Sequence, residues 1–502
     1  MKNRALFSFT VLCQLMALTF FSGSVYAGGS GENSGIASLR SGFINGVYRI
    51  SSGGRYTFSG EHTGQILIEA ARNDVVELVF DGLTLHNPNG PAILAPRSRN
   101  VEIILNSGTI NTISDGKHPN DETNAAIYIQ HNLTFSGNGT LNVNGNYHHG
   151  IRTQDTLTVK SGVYNIKAAG DALRGRDAVI IENGSFTLTA GGDGIQSNND
   201  TNPDRGFITI NGGTFVINSG DDGIQAEKNI TINNGNIGIT AKDDGITTNG
   251  SILITGGVIN ITDSYEGLEG LNVTITGGDI TILARDDGIN ARDGETVNMG
   301  WGRPMMRRPL NENIFVRITG GNINVQAYRD GIDSNNNIFL EGGALYISGP
   351  SRGMEGAIDC DGVFLITGGK LVTAGSVINL SGQSTQPALL AGFNQNMPSG
   401  AIIEIRDSGG NSLLRYAAKN AFSMSAFTSP DFTIGQTYSL FINNEKVNDI
   451  TLNSTITNIG SNNFRGGFDG GRGVPGGNRG GNDGNRRMMP APPPGNIPRP
   501  RF

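Results

Sequence analysis

The sequence predicts an all-β chain: a parallel β-helix, a solenoid of about 22 residues per coil, followed by a small C-terminal β cap. Three observations predict it. Gly makes up 75 of 502 residues without a Gly-X-Y period, which excludes collagen and favours many tight turns. Short runs of Ile, Val, Thr and Phe alternate with polar residues between Gly- and Asn-rich corners, a strand pattern. An apolar anchor recurs at Ile151, Leu173, Ile195, Ile224, Ile246, Leu268, Ile289, Ile332 and Ile358, at gaps of 22, 22, 29, 22, 22, 21, 43 and 26. Runs this short cannot each carry a crossover helix, so each unit is one coil stacked on the next. A β-sandwich array would need hairpins, and the units lack paired strands around Asn-Gly turns. About thirteen coils at ~4.8 Å each make a rod near 60 Å long.

Residues 1–27 have the features of a secretory leader. Lys2 and Arg4 precede an apolar stretch, and Val25-Tyr26-Ala27 is a small-residue cleavage pattern. The chain is therefore expected to be secreted or extracytoplasmic, with attachment at a cell surface left open. Beyond the leader no apolar run approaches the ~20 residues that span a bilayer, so no transmembrane segment is expected. Cys13 falls in the leader, and Cys360 alone remains, so no disulfide framework forms. Cys360 reads as a small buried hydrophobe rather than a reactive thiol.

Residues 28–60 are expected to be a lead-in or N-terminal cap, and 61–384 the β-helix. The long gaps place insertions at Asn198–Arg205 and at 294–311. The second holds Trp301, the only tryptophan, with Arg303, Arg307 and Arg308. It is either a mobile loop or a sugar-stacking lid. Over 385–460 the repeat stops and alternating runs such as Ala401–Arg406 point to a β-rich cap. Residues 461–502, rich in Gly, Arg and Pro, cannot bury a core and read as a disordered tail.

The formal charge of −7 hides an asymmetry. Without Lys2 and Arg4 it is −9, and from Asn462 onward seven Arg and two Asp give +5, which leaves −14 for the body. An acidic body argues against nucleic acid as a partner and suits cation binding. The acids concentrate at one corner of successive coils: Asp171, Asp193, Asp221-Asp222, Asp243-Asp244, Glu266, Asp286-Asp287, Asp330 and Glu355. Stacking sets equivalent carboxylates ~5 Å apart, where each pair repels by about 3 kcal/mol at an effective dielectric of 20. The ladder must be protonated, splayed into water, or bridged by cations. Calcium suits it, because it takes six to eight oxygen ligands in flexible geometry. Zinc does not, because no His/Cys cluster accompanies the acids. The Gly after each acid is expected to allow a tight turn. The competing reading of each Asp-Asp-Gly is a turn favourite whose side chains bond local N–H groups.

If the anchors point inward, the residues one and three after them point outward. That strip includes Arg152, Gln154, Arg174, Arg176, Gln196, Gln225, Thr247, Glu269, Asn290, Arg292, Asp333 and Asp359. It is either a solvated sheet face or a surface for a linear polysaccharide. In the second reading Arg152, Arg174, Arg176 and Arg292 pair with uronate carboxylates, joined by Gln225 and Trp301.

At these residues the chain resembles the secreted carbohydrate-binding domain family with a polysaccharide-lyase-like, right-handed parallel β-helix. The carrying stretches are Asn124–Tyr128, Asn144–Tyr147, Gly192–Ser197, Asp221–Ala226, Ser264–Glu269, Asp286–Asn290 and Asp330–Ser334, with Thr428–Phe432 and Gly435–Tyr438 near the C-terminus. The resemblance implies binding of plant-cell-wall-type polysaccharide, either acidic pectin-like chains or cellulose, with bound calcium. Related calcium-dependent pectate lyases use an Asp-Asp-x-x-Asp pattern and a lysine base. Carried over by position, Glu266 with Glu269 and Asp330 with Asp333 would be calcium ligands, completed by Asp222, Asp244 and Asp287. Asp221, Asp243 and Asp286 adjoin them. One coil has His148-His149-Gly150 where an acidic corner is expected, and another has Asp171-Ala172, so the N-terminal ladder departs from the pattern. A lyase would need a base, for which Lys228 and Lys242 are the candidates; both also read as surface charges. The sequence thus supports a binding protein, expected to be monomeric, with two rivals. One is a lyase; the other is a structural surface adhesin whose calcium only rigidifies the rod.

Overall fold

One repeat explains why the chain is all strand. Residues 224–245 contribute three strands, Ile224–Ala226, Asn229–Ile232 and Asn236–Ala241. Their inward side chains Ile224, Ile230, Ile232, Ile237 and Ile239 are buried and their alternate neighbours are not. β-Branched residues pack well on a pleat, and burying each such side chain contributes roughly 1.5–3 kcal/mol. The three strands pair in parallel with Ile246–Thr248, Ser251–Ile254 and Val258–Ser264 of the next repeat. No residue of the repeat is left to form a helix.

The computed structural model describes residues 42–118, 121–293, 311–351 and 355–460. The leader, the tail and nearly all of the 294–311 insertion, Trp301 included, lie outside the described residues. Among those described there is no α-helix, and a 3-10 turn lies at Asp121–Thr123. The short first strands form a 13-stranded parallel sheet, and the second and third strands merge into a 25-stranded sheet.

The anchors form one continuous column. Ile66, Ile93, Ile127, Ile151, Leu173, Ile195, Ile224, Ile246, Leu268, Ile289, Ile332 and Ile358 sit in register on successive short strands, and none is exposed. An aromatic column runs beside them, with Tyr164 stacked on Phe186 at 5.0 Å and Phe186 on Phe215 at 4.6 Å. The stack begins before residue 61. Val47–Ile50 already pairs with Gln65–Glu69, and Gly54–Thr63 with Val75–Asn87. At the other end, Ala388–Met397 and Phe422–Thr428 join the long sheet in antiparallel pairing. A separate four-stranded antiparallel sheet, built from Ile402–Arg406, Ser412–Ala417, Thr437–Ile442 and Glu445–Thr451, has its own core around Ile403, Ile405, Leu414 and Leu440. Cys360 is buried against the Ile378 carbonyl, and burial pushes its thiol up to about 12.

The glycines after the acids serve a different purpose from the one expected. Gly194, Gly223, Gly245, Gly267, Gly288 and Gly331 do not adopt positive φ. What they allow is close approach between repeats. A Cβ on Gly223 would lie 2.4 Å from the Gly245 carbonyl oxygen and 2.5 Å from Ile239 Cγ2. Left-handed turns are made elsewhere, as at Gly257 with φ +91°. Gly223→Ala should therefore lower stability by about 2–3 kcal/mol, the upper range for overpacking, because backbone must move. Guanidinium denaturation of the variant checks this; an unchanged midpoint would contradict the close-approach account.

Candidate functional site

The acidic corner joins the third strand of one repeat to the short first strand of the next. One acid per corner turns inward and bonds along the stack. The Asp193 N–H donates to Asp171 Oδ1 at 3.1 Å, Asp222 N–H to Asp193 Oδ1 at 3.0 Å, and Asp244 N–H to Asp222 Oδ1 at 2.9 Å. Glu266 N–H donates to Asp244 Oδ1 at 2.9 Å, and Asp330 N–H to Asp287 Oδ1 at 2.8 Å. Each carboxylate thus satisfies a backbone donor of the following repeat with one oxygen; the second accepts from Arg174 Nη1 in Asp171 and from Gln196 Nε2 in Asp193. The longer side chain of Glu266 breaks the series: it accepts from Asn290 Nδ2 at 3.2 and 3.1 Å.

The outer acids complete three clusters in which one oxygen from each residue lies within 4.8 Å of the others. They are Asp221 with Asp222 and Asp243, Asp244 with Glu266 and Glu269, and Glu266 with Asp286 and Asp287. Burial pushes Asp193 up to about 8, helped by the charges of Asp171 and Asp222. It pushes Asp222 to about 7 and Asp287 to about 6. Asp244 rises through burial first and then a hydrogen bond with Glu269, and Glu266 through burial and then the charge of Glu269. Left to themselves, these groups hold protons into the neutral range.

The expected pair Asp330 and Asp333 divides. Asp330 rises through burial and a hydrogen bond with Glu355, and neither belongs to one of the three clusters. Asp333 is pushed to about 7 by burial and by Asp287, Asp359 and Asp361. At the N-terminal end Arg174 neutralises the ladder, beside the uncharged ring of His149. His149 Nδ1 and Arg174 Nη1 each lie 3.1 Å from Asp171 Oδ2. Burial would raise Asp171, but His149 and Arg174 bring it below the usual carboxylate range. Burial holds the His149 ring down to about 4.

A cation site needs neutral oxygen donors besides carboxylates. At some corners the residue three after the inner acid supplies one; at others that residue is Arg174, Glu269 or Asp333. Gln225 follows Asp222 and Asn290 follows Asp287, and both carry a buried amide oxygen with no hydrogen-bond partner. Buried polar atoms are normally paired, so these orphans fit a corner completed by a hard cation such as calcium.

The strip of alternate side chains stands in axial register, with Asn290 buried. Tyr128, Arg152, Arg174, Gln196, Gln225, Thr247, Glu269, Asn290, Asp333 and Asp359 stand in register on neighbouring short strands. Its arginines are not equally free. Arg174 is bound to Asp171, and Arg292 to Glu269. Arg176 lies 4.0 Å from Asp177. Arg152 bonds Asn124 Oδ1, lies over the Tyr128 ring at 5.6 Å, and has no carboxylate within ion-pair distance among the described residues. Lys228 sits at the far end of its short strand, 3.7 Å from Glu227. Lys242 is exposed at the acidic corner, next to Asp243.

Sequence reasoning missed two features. Tyr265 occupies the place that Asp221, Asp243 and Asp286 fill in neighbouring repeats, exposing an aromatic ring at the corner. The motif Ser264-Tyr265-Glu266-Gly267, aligned to Asp-Asp-Gly, carried that signal. The orphaned oxygens of Gln225 and Asn290 were not legible, because satisfaction depends on neighbours in other repeats.

A family model described as carbohydrate-binding domain-containing protein matches residues 45–306, more than half of the chain. A carbohydrate-binding domain-containing protein of Acetivibrio thermocellus is 35% identical over 127 residues, covering 24% of this chain and 44% of that relative. The match thus spans less than half of the relative's length. Among solved structures, a polysaccharide lyase-like protein from C. thermocellum, a gadolinium derivative, aligns with a TM-score of 0.42 and 31% identity, covering 44% of this chain and 91% of the other.

Proposed function

The chain belongs to the carbohydrate-binding domain family, and from that premise we propose that it is a secreted protein that binds acidic polysaccharide along its short-strand strip. In this reading the corner acids hold calcium, and the stack is a right-handed parallel β-helix. The handedness follows from the strong preference of parallel crossovers. The observation that carries the proposal is the adjacency of the three carboxylate clusters to a strip of hydrogen-bonding side chains in axial register. Calcium there would neutralise the corner and leave coordination positions for uronate carboxylates. Arg152, without a carboxylate of its own, offers a second anchor for the same chain. A pectin-like polymer matches these groups better than cellulose, which carries no charge.

The test is electrophoresis of the mature protein in a native gel cast with polygalacturonate. Calcium should give retardation without clearing, and chelator should abolish it. Arg152→Ala should weaken retention about tenfold, the cost of one charge-assisted hydrogen-bonded contact. A cleared zone in the stained gel would replace this reading with a lyase, and Lys242→Ala would then test the base. Calcium-dependent melting with no retention of any glycan would leave a structural adhesin.

A further inference from the structure

We propose a second sugar-binding site, in the cleft between the long sheet and the C-terminal antiparallel sheet, that takes a short acidic oligosaccharide without calcium. The cleft lies wholly outside residues 45–306, so it goes beyond the reading above. Its volume is about 310 Å³, and it is lined by Asn322, Asn324, Tyr346, Arg415, Ala417 and Lys419 with Tyr416 at its base. That is at the small end of ligand sites, enough for one or two pyranose rings.

The two walls present complementary chemistry. Asn322 and Asn324 lie two apart on one strand and so share a face, and Asn324 is in register with Tyr346 on the next strand. Opposite them, Arg415, Ala417 and Lys419 are exposed at alternate positions. The side chains of Asn322, Asn324 and Lys419 make no hydrogen bond or ion pair with any described residue, and Arg415 lies 3.8 Å from Glu404. Amides for hydroxyls, a tyrosine ring for a sugar face, and for a carboxylate the Lys419 ammonium, with Arg415 shared with Glu404, therefore converge on one space. Ala417 keeps that space open between the cations.

The walls are held rigidly against each other. Asn420 Nδ2 donates to the carbonyls of Ala327 at 2.8 Å and of Ser348 and Gly349 at 3.2 Å. Gln326 Nε2 donates to Asn420 Oδ1 at 3.0 Å, and the Lys419 N–H to Ser348 Oγ at 2.8 Å. The Tyr416 hydroxyl lies 2.7 Å from the same Ser348 Oγ, and its ring stacks on Tyr346 at 5.5 Å. A site fixed in this way loses little entropy when a ligand enters.

Isothermal titration of the full chain with trigalacturonate in excess chelator tests the proposal. Chelator removes any calcium-dependent binding at the acidic corner, so the two sites fail separately. Saturable binding should persist in the wild type and in Asp244→Asn. Lys419→Ala should weaken it at least tenfold, and Ala417→Trp, which fills the cleft from an exposed position, should abolish it with an unchanged melting midpoint. Absence of binding in chelator would overturn the proposal, as would binding that both cleft variants leave intact. Equal binding of cellotriose would overturn the acidic specificity.

Discussion

In chelator, the melting midpoint should fall by about 10 °C as the pH is raised from 5 to 8, and calcium should restore it. The argument starts from the inward acids. Burial raises Asp193 to about 8, Asp222 to about 7 and Asp287 to about 6, whereas an unfolded chain titrates them near 3.9. Between these values the folded chain binds protons that the unfolded chain has lost. The slope of unfolding free energy against pH follows the difference in bound protons, unfolded minus folded, which is negative here. The contribution of these acids is therefore complete below about pH 4 and is lost as pH rises through 6 to 8. His149, held down to about 4 when folded against about 6.5 unfolded, opposes the trend between those values and adds nothing to the slope above them. A cation held by ionised carboxylates competes with these protons. At a hundredfold excess over its dissociation constant, each site adds about 2.7 kcal/mol, and the three clusters, two of which share Glu266, add at most about 8. For a chain this long that is a shift of up to roughly 10 °C. Differential scanning calorimetry at pH 5 and pH 8, with calcium and with chelator, checks it. A midpoint in chelator that stays level or rises with pH would mean that the corner acids ionise freely in water.

The stack was legible because a period of 22 fixes register. Once Ile224 and Ile246 are placed inward, Gln225 and Thr247 must face outward and the Asp-Asp-Gly corners must align. The structure follows that logic residue by residue, from Ile66 to Ile358. The periodic pattern could not show which charges are already neutralised. Arg174 and Arg292 looked available for a glycan, yet each is held by a carboxylate of the chain, Asp171 and Glu269. Three residues separate the first pair and 23 the second, and only the actual side-chain directions distinguish them from Arg152. The glycines illustrate the same limit. Their position after each acid was plain, but the reason for it is a carbonyl and an isoleucine methyl of the next repeat. The C-terminal cleft was invisible for a stronger reason. It is closed by contacts such as Gln326 to Asn420, 94 residues apart and outside any repeat.

Asp244→Asn should change the sign of its effect with the medium. The amide keeps an oxygen where Asp244 Oδ1 accepts the Glu266 N–H at 2.9 Å, so the bond along the ladder survives. What it removes is a buried acid whose proton affinity is raised by burial and by Glu269. Without calcium at pH 8 the variant should melt higher than the wild type, by several degrees, since the folded wild type must take up a proton at this acid that the unfolded chain has lost, and the amide need not. With calcium the order should reverse, because the cluster of Asp244, Glu266 and Glu269 loses one of its three carboxylates. Calcium affinity measured by titration should drop at least tenfold, which is about 1.4 kcal/mol. Glu269→Gln, on the strip beside the same cluster, should repeat the loss of affinity while also freeing Arg292. A variant that melts lower in both media would show that Asp244 acts through local bonding alone, as an ordinary turn residue does. The crossing of the two melting curves therefore separates a ladder built around cations from one that merely tolerates its own protons.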